Sequence, residues 1–178
     1  SAFCNAGFDL MGRFAPYVSL TPYADDILVN FTVMLLIIIG GIGFLVWDDI
    51  STKKLKVKRY QLHTKIVLTV TAILLVVPTI LFFIFERNFT NLGLGFGESL
   101  LNAIFDSVTA RTAGMNSTDT AALAPASKIL TVFLMFIGGS PGSTAGGIKT
   151  TTLAVIAIST FNGITRRQSK GIFGRRLE

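Results

Sequence analysis

The sequence predicts an all-α integral membrane protein built from a repeated unit. Three observations carry that prediction. Hydrophobic residues make up 51% of the 178-residue chain, charged residues only 15%, and the mean hydropathy is +0.63, which is high for a soluble domain. The net charge of +6 is gathered into two basic blocks, each beside a long apolar run. Two segments far apart in the chain also match each other around an Ala-Gly pair.

Taken in order, the first apolar run is Ile27 to Val46, which is uncharged and long enough as a helix to cross a hydrocarbon core of about 30 Å. Trp47 is placed for the interface, and Asp48 and Asp49 end the run. The first basic block follows: Lys53, Lys54, Lys56, Lys58, Arg59 and Lys65. Ile66 to Phe85 is a second span, closed by Glu86 and Arg87 and containing Pro78, which membrane helices tolerate. The basic loop between the spans belongs inside the cell, so the outer ends of both spans lie outside.

A Gly-rich connector, Asn88 to Gly97, leads to a short helix over Glu98 to Ala110, where Leu100, Leu101, Ile104, Phe105 and Val108 recur at three- and four-residue spacing. Such a helix is too short to span and reads as re-entrant or interfacial. After the polar stretch Thr112 to Thr120, the last apolar region is interrupted. Ile129 to Ile137 and Leu153 to Phe161 flank Gly138-Gly139-Ser140-Pro141-Gly142-Ser143-Thr144-Ala145-Gly146-Gly147. The second basic block, Arg166, Arg167, Lys170, Arg175 and Arg176, puts the tail inside as well. A single crossing therefore places the Gly/Ser/Pro segment at membrane depth. Irregular backbone is tolerated there only when it is buried in protein or lines a watery path, as in the broken helices of transporters.

The repeat pairs Ser1 to Asp9 with Val108 to Asn116, and each copy is followed by an apolar run and a Gly-Gly pair, Gly40-Gly41 or Gly138-Gly139. Each unit then reads as span, re-entrant helix, glycine loop, span, the pore-loop architecture of potassium channels. A dehydrating cation needs backbone carbonyls in place of its water shell. Turning carbonyls inward needs an alternating backbone with some positive φ, which Gly7 and Gly114 permit. The short helix points its partly negative C-terminal end at the same place.

At these residues the chain resembles the Trk/Ktr/HKT superfamily of potassium transporters, and most of all the membrane pore subunits of the Ktr and Trk systems. Asn5-Ala6-Gly7-Phe8 and Thr112-Ala113-Gly114-Met115 are similar to that family's degenerate filter sequences, and Gly138 to Thr152 looks like its intramembrane loop. The resemblance implies four pore-loop units per full protein. This chain would hold the end of the second unit (1–65) and all of the third (66–178). It begins inside a motif and reads as a fragment. The resemblance further implies potassium uptake, often sodium-linked, in the bacterial inner membrane as a multi-pass protein. It implies a filter at residues 5–8 and 112–115 and a gate at Gly138 to Gly147. It also implies homodimers in membrane lipid and a separate cytosolic ring of nucleotide-binding regulatory subunits; this chain itself would carry no cofactor beyond transported potassium or sodium.

Other readings are weighed on the same residues. A basic face with aromatic or helical readers is absent, which excludes a nucleic-acid partner. There is no Ser/His/Asp set, no metal-ligand cluster around the one histidine, His63, and no convergent pair of intramembrane acids, so no enzyme is expected. The lone Cys4 forms no internal disulfide and is expected to pack behind the filter. Gly142 to Thr150 imitates a phosphate loop, but Ile148 stands between Gly147 and Lys149. Arg111 beside a cation path calls for neutralisation by Asp106, Asp9 or Asp119. Lys149 is expected to reach the inner interface or a neighbouring subunit. Glu98 and Asp106 are either mouth charges or helix-end groups. An alternating-access transporter with its site at the broken helix would need an inverted repeat, whereas this repeat is parallel. A non-transporting membrane anchor gives no reason for a Gly/Ser/Pro segment at membrane depth.

Overall fold

The computed structural model describes residues 1–9, 11–12, 18–54 and 56–164; the second basic block lies outside them. Among the described residues six α-helices follow one another: α1 (Ile27–Ile42), α2 (Phe44–Lys53), α3 (Leu62–Phe85), α4 (Phe96–Thr109), α5 (Pro125–Phe136) and α6 (Thr150–Ile164). No strand forms among the described residues beyond one isolated parallel bridge between Ile137 and Ile148.

The helix α3 is the central post, and α4 packs along it most extensively, with α6, α5 and α2 also against it. It is apolar on both faces, and Ile66, Val67, Leu74 and Phe82 are buried against the rest of the protein. Thr64 and Thr71 are buried while Ile73, Val76, Val77, Ile80 and Ile84 face outward. That pattern suits a lipid solvent, where the apolar face needs no cover. α3 is also the one helix among those described that is long and apolar enough to cross a membrane unaided. Pro78 sits inside it without ending it. A proline removes the donor for the carbonyl four residues back, here Leu74. At the neighbouring carbonyl, Leu75 O, the hydroxyls of Thr79 and Ser107 both donate, at 2.7 and 3.0 Å, which keeps this weakened stretch of helix paired and ties α4 to it.

The first span differs from its sequence reading. Ile27 to Val46 is not one rod: α1 and α2 meet at Gly43 with a bend of 93°. Gly43 adopts φ 92°, ψ 150°, a region almost confined to glycine. A Cβ there would lie 2.7 Å from Pro141 O, and the next N–H, of Phe44, donates to Gly142 O at 3.1 Å. The apolar run is therefore cut by the glycine-rich segment docking against it. At the start of α1, Asp26 caps the helix by accepting from the N–H groups of Leu28 and Val29.

The basic loop is held by one buried acid. Asp49 of α2 is 3% exposed, has Lys53 Nζ 2.5 Å from Oδ1, and accepts from Gln61 N at 2.8 Å through Oδ2. Burial pushes its carboxyl up, but the hydrogen bonds of Lys53, Thr64 and Gln61 and the Lys53 charge outweigh that and hold it at about 2. Asp49 thus clamps the end of α2 to the start of α3. His63 falls in the first turn of α3 and is half-buried.

Candidate functional site

Three irregular segments converge: residues 1–9, residues 110–116 and the break between α5 and α6. The second segment is delivered by α4, whose first turn is fixed by Glu98 accepting from Gly95 N at 3.3 Å. Glu98 is therefore a helix-end group. The far end of α4 places Phe105, Val108 and Ala113 in one apolar cluster with Ala2, Met34 and Ile37, so the first segment leans on the helix that carries the second.

The two repeated segments share one backbone pattern. Gly7 and Gly114 have φ of 66° and 71°, and the residues two positions earlier, Asn5 and Thr112, have φ of 48° and 68°. Extended backbone points successive carbonyls to opposite sides, whereas alternation of this kind turns them toward the same side. The two glycines face each other: a Cβ on Gly7 would lie 3.1 Å from Ala113 O and 3.3 Å from the Gly114 Cα. Ala113 is buried, Gly114 exposed, and Asn5, Gly7, Thr112 and Met115 half-exposed, with Ala6 and Phe8 exposed. Positive φ at the two non-glycine positions was not foreseen. Asn tolerates that region, but nothing in the sequence marks Thr112 for it.

Ser19 joins the far ends of both segments. Its N–H donates to Asp9 Oδ2 at 3.2 Å, and its hydroxyl accepts from Asn116 N at 3.1 Å. Asp9 and Asn116 are equivalent positions of the repeat. Within the second segment, the Thr109 hydroxyl accepts from Met115 N at 3.0 Å and donates to Met115 O, which closes the loop on its own helix.

The break, Gly138 to Gly147, folds back on itself. Gly138 N donates to Ile148 O and Ile148 N to Phe136 O, both at 3.0 Å. Ser140 N donates to Gly41 O at 3.0 Å and Thr144 N to Gly40 O at 3.3 Å. Thr150 Oγ1 donates to Ser140 Oγ at 3.2 Å. The two Gly-Gly pairs of the repeat thus lie side by side, and these irregular backbone groups find partners inside the protein, as membrane depth demands.

Several side chains stand elsewhere than the sequence suggests. Cys4 is exposed, because the turn at residues 2–5 buries Ala2 instead. Arg111 is 7% exposed, its Nε has no hydrogen-bond partner, and no acid among the described residues forms a salt bridge with it. Of the acids considered for it, Asp106 is occupied by Thr118 Oγ1 at 3.0 Å, and Asp9 by the backbone N–H groups of Met11 and Ser19. Asp106 is buried and braces the polar stretch after the loop rather than standing at a mouth. Lys149 turns back and donates to Ala145 O at 2.7 Å.

The TrkH family, described as cation transport proteins, matches residues 1–174. The chain is 48% identical to the potassium/sodium uptake protein NtpJ of Enterococcus hirae, over 99% of this chain and 38% of that protein. It is 39% identical to the Ktr system potassium uptake protein B of Bacillus subtilis, over 100% of this chain and 39% of that protein. It therefore spans well under half the length of these relatives. In fold it is similar to the crystal structure of the potassium transporter TrkH from Vibrio parahaemolyticus, with TM-score 0.75 at 19% identity, over 93% of this chain and 34% of that one.

Proposed function

This chain belongs to the TrkH family of cation transport proteins, and on that premise we propose that it supplies two strands of a carbonyl-lined potassium filter. The strands are Asn5-Ala6-Gly7-Phe8 and Thr112-Ala113-Gly114-Met115. Gly138 to Gly147 is the gate beneath them. One observation carries the reading: both segments place positive φ at the same two repeat positions, with Gly7 and Gly114 in contact distance of each other. That is the backbone a ring of inward carbonyls requires.

The full protein takes up potassium, or potassium and sodium, as the names of its relatives suggest. It sits in the bacterial inner membrane as a multi-pass homodimer and works with a cytosolic nucleotide-binding ring, and the nucleotide belongs to that ring. The family is one of transporters rather than enzymes.

The test is rubidium flux into proteoliposomes holding the full-length protein, with potassium and sodium as competitors, for wild type and Gly114→Asp. The substitution is expected to abolish potassium-competed flux in protein that still elutes as a folded species. Equal flux in both proteins would falsify the filter assignment and favour a transporter whose site is the broken helix.

A further inference from the structure

The glycine-rich break is bonded to both glycine loops at equivalent positions. The Thr144 hydroxyl donates to Phe3 O at 3.0 Å and accepts from Asn5 Nδ2 at 3.2 Å. One turn on, Gly146 N donates to Thr112 Oγ1 at 3.2 Å. Asn5 and Thr112 occupy the same place in the repeat, and both are held at positive φ without being glycine, as Ser19 and Lys54 are elsewhere. A residue stays in that region only when its surroundings fix it there. The break bonds to both of them, beside the bond within the first loop from Asn5 N to Ala2 O at 3.1 Å.

We infer that Thr144 is a positioning residue for the proposed filter, and that Thr144 and Thr112 form a latch through which the break sets the geometry of both loops. The Thr144 side chain has little freedom to do anything else. Its own N–H is spent on Gly40 O at 3.3 Å. A Cβ on Gly40 would lie 1.9 Å from Phe3 O and 3.0 Å from Thr144 Oγ1, so α1 walls the hydroxyl in against the first loop. Valine matches threonine in shape but neither accepts from Asn5 nor donates to Phe3, while serine keeps both bonds. Displacement of the break therefore releases the Phe3 carbonyl, the Asn5 amide and the Thr112 hydroxyl together. Opening the gate and loosening the filter are then one event.

The inference rests on the filter reading, and its test separates the two. Rubidium flux and its competition by potassium and by sodium are measured on the full-length protein for wild type, Thr144→Val, Thr144→Ser and Gly114→Asp. Thr144→Val is expected to reduce discrimination of potassium against sodium by about 3- to 10-fold, the range for losing a short hydrogen-bond chain. Thr144→Ser is expected to stay within about twofold of wild type, since it retains the chain. Thr112→Val removes the matching bond in the second loop and gives the same answer independently. Unchanged discrimination in the valine variants, even with a lower melting temperature, overturns the latch and leaves Thr144 a packing residue. If discrimination is unchanged while Gly114→Asp still abolishes flux, the latch alone fails. If Gly114→Asp leaves flux intact, the filter reading fails and the latch falls with it.

Discussion

Single residues carry the chemistry, and Asp49 is the clearest case outside the membrane. Its carboxyl is held at about 2 against an ordinary value of 3.8. A group with a depressed native pKa stabilises the fold above its unfolded value, and that contribution is lost as pH falls through the native one. The window therefore runs from about pH 4 down to about pH 2. Asp49→Asn is expected to melt below wild type at pH 7 in detergent, with the gap narrowing as pH drops through that window. A gap that stays constant with pH would show that the charge is not what matters. The sequence made this acid look like a mere stop to an apolar run, because its partners Gln61 and Thr64 come from the next helix. The same limit applies to Arg111. Asp106, Asp9 or Asp119 was expected to pair with it, but these acids accept from Thr118 and from backbone N–H groups. Gly7 and Gly114, in contrast, were legible from the duplicated Ala-Gly motif and do adopt positive φ.

Elements show a sharper division between what local pattern encodes and what contact imposes. The sequence placed the central helix at Ile66 to Phe85 and the short helix at Glu98 to Ala110; they form as Leu62–Phe85 and Phe96–Thr109. Both are set by periodicity and length, which are local. The bend at Gly43 is not local, since Phe44, Leu45 and Val46 continue the apolar run and hydropathy sees no break. It arises where Pro141 and Gly142 reach across to meet Gly43. Gly43→Ala is accordingly expected to destabilise the protein by about 1 to 3 kcal/mol, the cost of a side chain in that backbone region. Gly41→Ala meets only Asn5 Nδ2, at 3.8 Å. It should be neutral or stabilising by up to about 1 kcal/mol, as in other helix interiors. Thermal melts of the two variants in detergent compare them directly, and equal losses would contradict the account of the bend.

At the scale of the whole molecule, the exposed apolar face of α3 and the internal pairing of the break both describe a protein folded for lipid. Composition alone made the membrane legible. Topology was read from the two basic blocks, and the second of these lies outside the described residues. What composition does not contain is the convergence of three irregular segments, because each is short, polar and unremarkable by itself. The repeat and the family resemblance hinted that the first and second belong together and that the third serves them as a gate, but not which groups of the third bond to them. The central claim is that a cation passes between residues 5–8 and 112–115. It is tested most directly by solving the full-length protein with thallium(I) or rubidium in place of potassium. Anomalous peaks are expected between these two segments, ringed by the backbone carbonyls of residues 5–7 and 112–114. Peaks found only within Gly138 to Gly147, with none between the two loops, would contradict it.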